Sequence, residues 1–95
     1  MIERHITFSV YPDKAMEFEH FFADEYRPAM AKSRGFVSVE LLREAEHPSR
    51  YQMVLRFEDA DSAAGWRTSL EHQALQPGLD ALHSGNEILA YEVVA

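Results

Sequence analysis

The sequence predicts an α+β fold in which a single antiparallel sheet carries two helices on one face. Segments alternating with a period of two and segments of helical period follow one another as strand, helix, strand, strand, helix, strand. One obvious polar turn, AEHPS at residues 45–49, joins the two middle strands as a hairpin. No internal repeat, low-complexity tract or linker interrupts residues 1–95, which are read as one domain.

Strand one, residues 2–11, sets Ile2, Ile6, Phe8 and Val10 against Glu3, His5, Thr7 and Ser9, with Arg4 the one exception on the apolar side. Pro12 ends it. Asp13 is placed to cap a helix whose apolar stripe runs through Ala15, Phe18, Phe22, Tyr26 and Ala29, opposite Lys14, Glu17, His20, Asp24 and Arg27. Pro28 has no N–H and its ring crowds the preceding turn, so this helix should kink or end near Arg27, or resume briefly through Ala31. Gly35 stands in the position of a C-terminal cap. In strand two, residues 36–44, Val37, Val39 and Leu41 share one side and Phe36, Ser38, Glu40 and Leu42 the other, so both faces should be covered.

Strand three alternates Tyr51, Met53, Leu55 and Phe57 with Gln52, Val54, Arg56 and Glu58. Asp59 then caps the second helix, and Asp61 adds negative charge where the helix dipole is positive. Ala63, Trp66 and Leu70, at i, i+3 and i+7, form its inner face, and Gly65 leaves room for a close approach. Pro77 and Gly78 break the pattern, Leu75, Leu79 and Leu82 suggest a short extra helix or loop, and Gly85 and Asn86 turn the chain into a last strand at residues 87–94. This order is the ferredoxin-like βαββαβ arrangement. If the far face of the sheet is as apolar as Val37, Val39 and Leu41, an identical subunit laid sheet to sheet is its simplest cover, and a homodimer is expected.

Composition narrows the partners. Sixteen acidic against nine basic residues give a net charge of −7, which repels phosphate backbones and anionic membranes. The absence of cysteine excludes disulfides, thiolate metal sites and cysteine nucleophiles, and suits a reducing cytoplasm. The opening MIERHITF is charged at once and apolar runs are short, so neither a signal peptide nor a membrane span is expected. Five scattered histidines, none paired at helical i, i+4 spacing, make no metal constellation, and there is no phosphate-binding glycine loop or serine elbow.

Chemistry, if present, centres on Trp66 and His72. Trp66 is a core anchor or a pocket wall, and His72 caps a helix end from the surface or serves as a base. On a continuous helix His72 would lie well round from Trp66, so the two can share a pocket only if the helix ends near Ser69 or Leu70. Phe8, Phe22, Tyr26 and Met53 are the candidate apolar walls. His5, on the polar side of strand one, points to a subunit interface or solvent, and His20, His47 and His83 are expected to be solvated.

These pieces together resemble the antibiotic biosynthesis monooxygenase family of dimeric α+β barrels. The resemblance spans nearly the whole chain: Pro12 before a Phe-bearing helix, Arg34-Gly35-Phe36-Val37 entering strand two, and Phe57-Glu58-Asp59 leading to Gly65-Trp66, Ser69 and His72. It implies a small homodimer with a pocket between sheet and helices in each subunit. Some members oxidise quinol-like aromatics with O₂ and neither metal nor flavin, while others degrade haem or act in quorum-signal metabolism. The haem-degrading pattern has an Asn in the first strand and an iron-binding His ten residues after the Trp, whereas here Ile6 and Gln76 occupy those places. The resemblance therefore implies a cofactor-independent monooxygenase acting on a small aromatic or quinol, with His72 and Trp66 as catalytic residues. The alternative is a non-catalytic, ligand-binding or stress-associated dimer on the same scaffold.

Overall fold

A computed structural model describes residues 1–95. Four strands form one antiparallel sheet in the order β2-β3-β1-β4, with β1 Ile2–Val10, β2 Phe36–Arg43, β3 Arg50–Phe57 and β4 His83–Glu92. The crossovers are helical. The first comprises α1 Ala15–Phe21, a wider π turn over Phe22–Tyr26 and α2 Arg27–Ala31; the second comprises α3 Ala60–Arg67 and α4 Leu70–Asp80. This is the ferredoxin-like arrangement read from the sequence, with a core of 15 buried residues between sheet and helices.

The first helical passage solves a periodicity problem. Phe18, Phe22, Tyr26 and Met30 are all buried, at 0 to 3% exposure, although steps of four residues rotate a stripe by about 40° each on a regular α-helix. The π turn, in which Arg27 N–H reaches Phe22 C=O, takes up an extra residue and brings Met30 back over the sheet. It also lies where Pro28 cannot donate to the preceding turn, so the chain continues to Ala31. Asp13 makes no cap: it lies in a short 3₁₀ turn, Pro12–Lys14, and no side chain caps α1. Gly35 is not a helix cap either. With φ +78° it makes the left-handed turn into β2, and a Cβ there would stand 2.2 Å from the Ser62 hydroxyl.

Strand two departs from simple alternation. Phe36 pairs with Phe57, but Ser38 pairs with Arg56, so Val37 is an extra residue in a bulge and stays 41% exposed. Beyond it Val39 and Leu41 lie opposite Leu55 and Met53 and face the helices, so they do not form an apolar outer face. The outer face instead carries Glu3, His5, Thr7, Gln52, Arg56 and Glu87, with Leu42, Leu89 and Tyr91 as its exposed apolar members.

At the other end, Pro77 and Gly78 lie inside α4, and β4 starts at His83, so Gly85 and Asn86 are strand residues opposite Ser9 and Phe8. His83 is accordingly buried at 8% exposure against the ring of Phe8, where a solvated loop position was expected. Gly65 faces open space, with no atom within 4 Å of an added Cβ, so no neighbour requires a glycine there.

Candidate active site

The stretch expected to be one helix is two. Thr68 ends α3 and Ser69, in extended conformation, starts α4. The Ser69 hydroxyl donates to the Trp66 carbonyl at 2.8 Å and accepts from the His72 backbone N–H at 3.1 Å, so one side chain joins Trp66 to His72. The break meets the condition the spacing set. His72 turns back against Trp66, ring centroids 5.1 Å apart at 86°, and against Tyr26, 6.2 Å apart at 66°. Leu70, assigned by periodicity to the Trp66 face, is instead 79% exposed, because α4 starts with a new rotational setting.

These rings border a cavity of about 190 Å³ between the sheet and the second pair of helices. Its floor is Ile6, Phe8 and Leu55 on the sheet; its walls are Tyr26, Trp66 and His72; Gln76, Asn86, Arg4 and Arg67 supply polar groups at its sides. Of the expected wall residues, Phe8 and Tyr26 line it. Phe22 and Met53 belong to the core, and neither lines the cavity; Phe22 stacks on Tyr26 from behind and carries the Arg27 guanidinium 4.9 Å above its ring. A larger cleft of about 510 Å³ beside Arg34 and Asp59 has no apolar wall, and the Asp59 carboxylate is committed to the Ser62 N–H at 2.8 Å.

The electrostatics of the aromatic cavity favour a neutral base. Burial holds the His72 imidazole below its ordinary pKa of 6.5, and the positive charges of Arg67 and Arg4 push the same way. Burial pushes the Tyr26 phenol up to about 12, so Tyr26 is a hydrogen-bond donor and not a base at neutral pH. No carboxylate lines the cavity. His5 lies on the opposite face of the sheet, bonded to Glu3 and packed 4.8 Å from the Tyr91 ring. His20 and His47 are exposed, and no group of three or more acidic or imidazole side chains is close enough to hold an ion.

Of the residues named from the sequence, Trp66, His72, Tyr26 and Phe8 line this cavity. Arg4 and Arg67 also line it and were not foreseen there, although Arg4 broke the alternation of strand one and so carried a visible signal.

Taken together, the fold and this cavity define an α+β protein of the ferredoxin-like type with an aromatic-walled pocket between sheet and helices. The chain belongs to the antibiotic biosynthesis monooxygenase family, whose profile matches residues 1–78. Its fold is similar to that of SnoaB, a cofactor-independent oxygenase from Streptomyces nogalater, with a TM-score of 0.89 and 23% identity over 99% of this chain and 93% of that one. A conserved protein from Methanosarcina mazei Go1 matches with a TM-score of 0.85 and 22% identity over 95% and 89% of the two chains. A Bordetella bronchiseptica protein named after the same family matches with a TM-score of 0.88 and 25% identity over 99% and 97%. No functionally curated protein matches the chain in sequence.

Proposed function

We propose that the protein is a cofactor-independent monooxygenase that oxidises a small hydroxyaromatic or quinol-type substrate with O₂. The observation that carries this reading is the depressed His72 imidazole held edge-on to Trp66 and Tyr26 at the aromatic cavity. An apolar cavity of about 150 Å³ is enough for benzene, so one of about 190 Å³ suits a single substituted ring. Neutral His72 takes the phenolic proton, and the resulting electron-rich anion transfers an electron to O₂. Recombination gives a peroxide whose breakdown leaves one oxygen atom in the product and the other in water, with every electron supplied by the substrate. Trp66, Tyr26 and Phe8 hold the ring flat and keep water from the anion.

The same reading has the protein act as a homodimer in the cytoplasm. Support comes from the exposed Leu42, Leu89 and Tyr91 on the outer sheet face and from the lack of cysteine; no helix is long and apolar enough to cross a membrane.

Oxygen uptake with hydroquinones in the presence of EDTA tests the activity. His72→Ala should lower the rate by about 10²-fold while leaving the fold intact. Because burial lowers the imidazole pKa, the neutral base persists to more acidic pH than in a free imidazole, so the acid limb of kcat/KM should have its midpoint below 6.5. Undiminished turnover by folded His72→Ala acquits His72. A wild type inert toward all quinols favours the non-catalytic ligand-binding alternative.

A further inference from the structure

The helix-facing side of β1 is apolar except at Arg4, which sits opposite Leu55 on β3 and Ala90 on β4 and reaches the same cavity as Arg67 and His72. A guanidinium on that face has an unavoidable desolvation cost, which is ordinarily offset by a carboxylate. None is present. The chain holds sixteen acidic residues against nine basic ones, and Arg43, Arg50 and Arg56 are each paired with a glutamate. Arg4 and Arg67 take part in none of the ion pairs or side-chain hydrogen bonds, and no Asp or Glu lines their cavity. Two like charges have thus been kept together beside a neutral base in a strongly acidic protein.

We infer that Arg4 and Arg67 form an anion clamp at the mouth of the aromatic cavity and that the substrate is a hydroxyaromatic acid, with its carboxylate held by the two guanidiniums and its phenol directed at His72. Arginine suits this task because its planar fork pairs with both carboxylate oxygens and stays charged at every working pH. Arg4 is half-buried and rigidly placed on a central strand, while Arg67, at the exposed end of α3, stands at the rim. The clamp orients the ring along the cavity, and it carries no proton itself. The charges acting on His72 are those of Arg67 and Arg4, and its ring packs on Trp66 and Tyr26, so binding an anion there raises its basicity as it brings the phenol within reach.

This inference rests on the aromatic cavity being the substrate site, and calorimetric titration of the intact protein with salicylate and with phenol tests it. The two probes differ only in the carboxylate. Wild type should bind salicylate about 10-fold or more tighter than phenol, as expected for charge-assisted hydrogen bonds, and added salt should narrow the gap. Arg4→Gln and Arg67→Gln should each remove most of that preference with little change in phenol affinity, whereas Arg50→Gln, at the far end of β3, should keep it. Circular dichroism checks that Arg4→Gln folds; if it does not, exposed Arg67 carries the comparison alone. Equal binding of both probes by wild type, a preference that survives both cavity substitutions, or no binding of either probe overturns the clamp. Oxygen uptake on gentisate, read separately, isolates the catalytic reading: a salicylate preference without turnover keeps the clamp and sinks the oxygenase, and turnover indifferent to the carboxylate does the reverse.

Discussion

On the helix-facing side of β1, Phe8 and Val10 are buried and Arg4 stands without a counter-ion, while one residue away on the outer side Glu3 is bonded to both His5 and Arg56. The outer face settles its charges internally: His5 and Arg56 hold the Glu3 carboxylate below its ordinary pKa, and His5 packs on Tyr91. The inner face does the opposite, collecting two arginines and a depressed histidine in aromatic surroundings with no acid beside them. Polar groups satisfied by their neighbours are structure, whereas a half-buried Arg4 and a rim Arg67 left without an acid are what the proposed clamp would pair with a ligand's carboxylate.

Substitutions on each face sharpen that contrast. The largest effect belongs to the inner face: Trp66, 3% exposed and packed on Tyr26 and His72, should cost about 3–5 kcal/mol on replacement by Ala, read from denaturant unfolding. A markedly smaller loss would mean that the indole borders an open cavity more than it fills the core. On the outer face the expected consequence is lost association. Light scattering should give about twice the 10.9 kDa chain mass for wild type, and Leu89→Glu, placing a charge at a side chain 60% exposed, should shift it toward one chain mass with the fold retained. A wild type monomeric at every concentration refutes the dimer. The smallest effects separate two glycines. Gly35→Ala should destabilise by about 1–2 kcal/mol through its positive φ and the crowding at Ser62, while Gly65→Ala, in open space within α3, should stabilise by about 0.5–1 kcal/mol. The reverse order in thermal melts would contradict the local geometry.

Element types and order were legible because alternation and helical period are local properties of the chain. The side of strand two was not. Alternation counted straight through Val37 puts Val39 and Leu41 on the outer face, and only the pairing with β3 reveals the bulge that reverses them. The inner stripe of the first crossover was legible up to Tyr26, but Met30 was hidden because a regular period takes no account of the π turn. Trp66 and His72 could be named, yet their meeting could not be deduced: Ser69 reads equally well as a mid-helix residue or as the cap of a new helix, and tertiary packing decides. The same holds for His83, whose burial depends on a strand beginning four residues before its β-branched and aromatic part.

The joint at Thr68 and Ser69 also governs how this crossover can change length. In an unbroken helix, inserting one residue rotates everything downstream by about 100°, so the site would be scrambled by any change between Trp66 and His72. Here each helix has its own cap, Asp59 for α3 and Ser69 for α4, each accepting an N–H three residues ahead, and the Ser69 hydroxyl also ties the joint back to the Trp66 carbonyl. An insertion at Thr68 would cost the bond between Ser69 and the Trp66 carbonyl, yet α4 can still start at its own cap with His72 in the third helical position. The joint is an expansion gap between indole and imidazole, held at its present width by Ser69.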